Sequence, residues 1–228
     1  MNISEKIRKR IDDANGRYYA SDNISTFIDE GEKELLIEEL TAKFEGVLDS
    51  LIIDRHNDPN SAETPKRLAK MYINELMVGR YESSPNITAF PNEGDTKYSG
   101  MIVIRAEIKS VCSHHHQPVT GVAYIGIIPA GKVIGLSKYI RIAQWCARRG
   151  TLQEELCNHI AEEIMFATKS QNVGVHIGAE HGCCTNRGVM AHSSLTQTTV
   201  LNGMFESHDV KKEFFDNIML QKQTSGVY

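Results

Sequence analysis

The sequence predicts an α+β fold: an antiparallel four-stranded sheet with two helices on one face, preceded by a helical extension. Three observations carry this. Apolar residues recur at helical spacing across residues 31–53 and 58–81. From residue 101 the period drops to two, with Ile102, Ile104, Ala106 and Ile108 alternating with other residues. Residues 101–205 then read strand, strand, helix, helix, strand, strand, and paired strands joined by short turns imply an antiparallel sheet.

Residues 1–92 form the predicted helical region and 93–228 the sheet-bearing domain. Thr64 suits an N-cap and Pro65 the first helical position of the helix within 58–81. The polar stretch 82–100, with its Pro and Gly residues, reads as a connector. The second strand is the near-continuous apolar run GVAYIGII at 121–128. In the helix 137–149, Tyr139, Ile142, Ala143 and Cys146 share a face. In the helix 151–167, Leu152, Leu156, Ile160 and Ile164 recur every four residues. Val173, Val175, Ile177 and Ala179 alternate in the third strand, and residues 195–205 supply the fourth. Such a sheet has two open edges, which proteins cover, blunt or pair, so a ring-like self-association is expected.

The chain has 228 residues, 41% of them hydrophobic, enough for a core and too many for a disordered chain. Its formal charge is −4 and its pI about 6.1, without the basic surplus of a nucleic-acid binder. No run reaches the apolar length that spans a bilayer, and the first residues carry charges throughout, so a cytoplasmic protein with reduced thiols is expected. The odd number of cysteines, five, does not read as a disulfide framework.

Two clusters have the residue types of a metal site. Cys112-Ser113-His114-His115-His116 closes the first strand, and His181-Gly182-Cys183-Cys184 closes the third. If both strands end on one side of the sheet, Cys112, His115 and Cys183 converge; two thiolates and an imidazole suit zinc, with a fourth position left for water. Taken singly, Cys-x-x-His is a weak pattern, and a free cysteine is often a small core hydrophobe. Lys138 and Arg141 lie one turn apart after Ser137, a candidate N-cap. Arg67 and Lys70 make a similar pair, and Arg187 follows the second cluster. Cations beside helix starts suit an anion, although each alone reads as a solvated surface charge. Glu154, next to Gln153, offers a carboxylate that matches the N–H edge of a guanine, while Thr151-Leu152-Gln153-Glu154 also reads as a capping box. GIIPAGKV at 126–133 lacks the hydroxyl residue of a phosphate loop, with Val133 in its place.

Five segments together resemble the GTP cyclohydrolase I family: ETPKRLAKMY (63–72), SVCSHHHQPVTG (110–121), VIGLSKYIRI (133–142), LQEEL (152–156) and HGCCTNRG (181–188). They stand in the family's order, and the likeness covers roughly residues 30–210. It implies the tunnelling fold, in which sheets of neighbouring subunits join into a barrel and two pentamers stack into a homodecamer with active sites between subunits. It implies Zn2+ on Cys112, His115 and Cys183, proton transfer by His114 and His181, and Ser137 near the ribose. Gln153 and Glu154 are implied to hold the guanine, overriding the capping reading. Lys138, Arg141 and Arg187 are implied to hold the triphosphate, with Arg67 and Lys70 from a neighbouring subunit. The implied reaction opens the imidazole ring of GTP, releases carbon 8 as formate and, after ribose opening and an Amadori rearrangement, closes 7,8-dihydroneopterin triphosphate.

The chain departs from the family pattern at Ser113, where the family usually has Glu, at the additional thiol Cys184, and at Gly150-Thr151. Two other readings share the fold or the site: an enzyme acting elsewhere in pterin or 7-deazaguanine metabolism, and a non-catalytic zinc-bound oligomer that binds GTP. The cysteine-containing ligand set argues against the first, and the two proton-transfer histidines against the second.

Overall fold

The computed structural model describes residues 1–225. The chain divides into two compact units, one of Met1–Ser83 with Arg148–Gly150, the other of Ser84–Ala147 with Thr151 onward.

The first unit is helical: α1 (Ile3–Asp13), α2 (Glu32–Ser50), α3 (Thr64–Met71), a π-helical turn at Tyr72–Leu76, and α4 (Val78–Tyr81). Ile7 and Ile11 of α1 are buried with Ile24, and Leu36 and Tyr81 pack against them. Thr64 is the first helical residue, with Glu63 in the N-cap position and Pro65 in the first turn, so Thr64 does not serve as the cap. The Thr64 N–H instead donates to Ser61 O at 3.0 Å, within the turn that leads into the helix.

A buried carboxylate ties α1 to α2. Glu32 is 5% exposed and accepts from both guanidinium nitrogens of Arg10, from Lys6 Nζ at 3.0 Å and from the Asp29 N–H at 2.9 Å. The Arg10 hydrogen bonds are the main force holding its carboxyl down at about 2. Because this folded-state value lies below the ordinary 4.5, the stabilisation is complete above pH 4.5 and is lost as pH falls towards about 2. Glu32→Gln is therefore expected to lower stability by about 2 kcal/mol at neutral pH. In urea titrations repeated at falling pH, the gap from wild type should narrow below pH 4.5 and close near pH 2.

The second unit contains two sheets. Short strands β1 (Ala89–Pro91) and β4 (Lys132–Ile134) pair antiparallel, so the predicted connector includes a strand. Its partner is distant in sequence, and three residues are too few to show a period. The main sheet contains β2 (Ile102–Val111), β3 (Pro118–Ile127), β5 (Val173–His181) and β6 (Thr196–Leu201), all antiparallel in the order β2-β3-β5-β6. Two helices, α5 (Leu136–Ala147) and α6 (Gln153–Thr168), lie between β4 and β5.

The alternating and helical faces meet in one core. Ile104, Ala106 and Ile108 of β2 and Val173, Val175, Ile177 and Ala179 of β5 are buried with Tyr139, Ile142, Ala143 and Cys146 of α5 and Leu156, Ile160 and Ile164 of α6. Sequence periodicity assigns no element after residue 205, yet α8 (His208–Ser225) follows a single-turn helix, α7 (Gly182–Thr185), and β6. Phe214 and Ile218 of α8 are buried with Tyr124 and Phe205, against Val103, Val122 and Leu201 of the sheet. The apolar stripe of α8 is narrow among charged neighbours, and the other side chains of β2, β3 and β6 provide the surface it covers. Among the described residues no helix is long and apolar enough to cross a membrane.

Candidate metal centre

Antiparallel register brings the two chemical clusters to one end of the main sheet. Val111 pairs with Pro118, and Val119 with His181, so the β2–β3 turn lies beside the end of β5. That turn is closed by the Cys112 N–H donating to Gln117 O at 3.0 Å and the His116 N–H donating to Cys112 O at 2.9 Å. His116 adopts φ 51°, which turns the chain back after His115. On the other side β5 runs directly into α7, which carries Cys183 and Cys184.

The ligand atoms of Cys112, His115 and Cys183 all lie within 4.8 Å of one another. Three donors of these types at this separation could hold one metal ion. Cys112 is buried, Cys183 half-buried and His115 exposed, which leaves one side of the trio open. Burial pushes the Cys183 thiol up to about 11, and the Cys112 and Cys184 sulfurs add to the rise. Crowded protonated thiols of this kind yield their protons to a bound cation. Cys184 Sγ is 3.9 Å from Cys183 Sγ but is not part of the converging trio. The remaining cysteines belong to the core: Cys146 is fully buried, and Cys157 Sγ donates to Val175 O at 3.3 Å.

The other expected site residues sort by element. His114 is exposed on the β2–β3 turn, its ring 6.3 Å from that of His115 in an edge-on arrangement. His181 is half-buried; burial lowers its pKa, and Glu154 pulls it the other way. Glu154 is exposed in the first turn of α6, next to fully buried Gln153. The capping box does not form. Leu152, which has no side-chain acceptor, occupies the N-cap position, and Thr151 Oγ1 lies 3.2 Å from Glu155 Oε2 instead. Ser137 lies inside the first turn of α5 rather than capping it, because the helix already begins at Leu136. Lys138 Nζ donates to Asn86 O at 2.7 Å, while Arg141 and Arg187 are exposed. Arg67 and Lys70 are exposed on α3 in the helical unit.

Sequence reasoning missed the partnership of Gln153 with His181, whose Oε1 and Nε2 atoms are 2.7 Å apart. No local signal marks it, because the residues are separated by 28 positions and meet only through sheet register.

An antiparallel sheet that gathers two cysteines and a histidine at one end, with an open side, defines a protein fitted to bind a single metal ion. The family model described as GTP cyclohydrolase I matches residues 40–219. Relatives named GTP cyclohydrolase 1 include one from Aeromonas salmonicida, 38% identical over 79% of this chain and 83% of its own length. Another, from Buchnera aphidicola, is 38% identical over 82% of this chain and 85% of its own. A third, from Flavobacterium johnsoniae, is 35% identical over 82% and 83% respectively. The chain belongs to the GTP cyclohydrolase I family.

Proposed function

We propose that this protein is a zinc-dependent GTP cyclohydrolase I, converting GTP to 7,8-dihydroneopterin triphosphate and formate. The observation that carries the reading is the convergence of Cys112, His115 and Cys183, with His181 and Glu154 at the same end of the sheet. Cys112, His115 and Cys183 would hold the zinc ion, which would supply Lewis-acid activation of water for the hydrolytic step.

The chain's own residues then divide the work. Glu154 accepts the ring N–H and amino group of guanine, placing carbon 8 against the metal site. His114, exposed on the turn beside His115, supplies a proton to the imidazole nitrogen as the ring opens. His181, with Ser137, moves protons during ribose opening and the Amadori rearrangement; imidazole suits this because one ring nitrogen can accept a proton while the other donates one. Arg141 and Arg187 offer guanidinium groups to the triphosphate, joined by Lys138 and by Arg67 and Lys70 of a neighbouring subunit. Strands β2 and β6 are the two edges of the main sheet, and their pairing between copies would give the tunnelling-fold barrel and a decamer of two stacked pentamers.

The test is direct. Purified protein supplied with zinc and GTP should release formate and, after oxidation, fluorescent neopterin; GTP binding without either product would favour a non-catalytic binder. Glu154→Gln should lower kcat/KM for GTP by about 10–100-fold, mainly through KM, since a charged hydrogen-bond pair contributes about 1.5–3 kcal/mol. An unchanged KM in steady-state kinetics would remove Glu154 from guanine recognition.

A further inference from the structure

We propose that Gln153 is a positioning residue for His181, fixing which imidazole nitrogen carries the proton; this rests on the proton-transfer role given to His181 above. Gln153 is 3% exposed, in the first turn of α6. Its Nε2 lies 3.2 Å from Ile177 O, 3.1 Å from Thr196 O and 3.1 Å from Thr198 Oγ1. Its Oε1 lies 2.7 Å from His181 Nε2.

These neighbours decide which way the amide points. Backbone carbonyls only accept, so the NH2 end must face Ile177 O and Thr196 O. The amide oxygen therefore faces the imidazole, and an amide oxygen also only accepts. His181 Nε2 must then be the protonated nitrogen, which leaves Nδ1 as the basic atom of the neutral ring. The acceptors that hold the amide belong to β5 and β6, paired as Ile177 with Thr198 and Ala179 with Thr196. The main sheet thus sets the rotation and tautomer of His181 through one buried side chain.

Both N–H groups of Gln153 are engaged inside the protein and its oxygen is held by His181, so recognition of guanine falls to the exposed Glu154. This separates two roles that the family resemblance merges.

Steady-state kinetics on wild type, Gln153→Met and Gln153→Glu, each with melting temperature and metal content recorded, test the proposal. Loss of the partner that orients a metal-bound histidine typically costs about 10–100-fold, and the same scale is expected for the partner that orients His181. Gln153→Met should lose kcat by about that factor while KM for GTP stays within about threefold. Gln153→Glu keeps an oxygen that accepts from Nε2–H and should retain more kcat than Gln153→Met. A rise in KM at intact kcat would put Gln153 on the guanine and overturn the proposal, as would equal losses in the two variants. If Gln153→Met does not fold, Thr198→Val, which removes one of the oxygens holding the amide, should show the same kcat-only loss at about 2–10-fold, and an unchanged kcat would overturn it. An inactive wild type would instead overturn the cyclohydrolase reading before any variant is compared.

Discussion

Cys183→Ala is expected to abolish metal loading and to lower kcat/KM for GTP by about 10^3–10^5-fold, the loss of several kcal/mol of Lewis-acid stabilisation. Among the described residues, Cys112, His115 and Cys183 are the set of potential ligands whose atoms converge. Without Cys183 only a thiol and an exposed imidazole on one turn remain, too few for a stable tetrahedral site. Cys184→Ala is the matched control. Its sulfur lies 3.9 Å from Cys183 Sγ and outside the trio, so that variant should keep both metal and activity. Metal analysis of the purified variants, alongside the neopterin assay, reads both outcomes. Full metal occupancy in Cys183→Ala, or its loss in Cys184→Ala, would reassign the ligand.

The second large effect is structural. Gly121 on β3 stands opposite Ala179 on β5. A Cβ built at Gly121 would lie 2.2 Å from Gly178 O and 2.5 Å from the Ala179 Cβ. Backbone cannot yield at those distances without moving the strand. Gly121→Ala should therefore displace the end of β5 that carries His181 and leads to Cys183. The expected loss is about 3 kcal/mol or more, a fall of about 6–12 °C in melting temperature for a chain of this size. Metal retention should fall with it. Gly178→Ala provides the contrast: nothing lies within 4 Å of its added Cβ, so thermal melting should stay within about 2–4 °C of wild type. A melting temperature for Gly121→Ala equal to wild type would show that the strands pair more loosely at this point.

Both variants act where local pattern and long-range register meet, and that boundary also separates what could be read in the sequence from what could not. The period-two runs around Ile104 and Val175 and the helical stripes through Ile142 and Ile160 each name a buried face without reference to any other part of the chain. Backbone geometry imposes these periods, so they are legible locally. The spacing of Cys112 and His115 is legible for the same reason, since one short turn holds both.

Other features have no local trace. β1 finds its partner in β4 about forty residues on, and three residues show no period. The narrow stripe of α8 gains meaning only from the second face of the sheet that it covers. The capping-box pattern at Thr151, set aside on the family resemblance, does not form: the helix starts one step later, at Gln153, with Leu152 and no capping oxygen in the N-cap position. The types of side chain available for metal and proton chemistry were thus written in the sequence. Only the tertiary structure decided that Cys183 would reach Cys112 and His115, and that Gln153 would hold His181, because those meetings depend on which strand lies beside which and in what register.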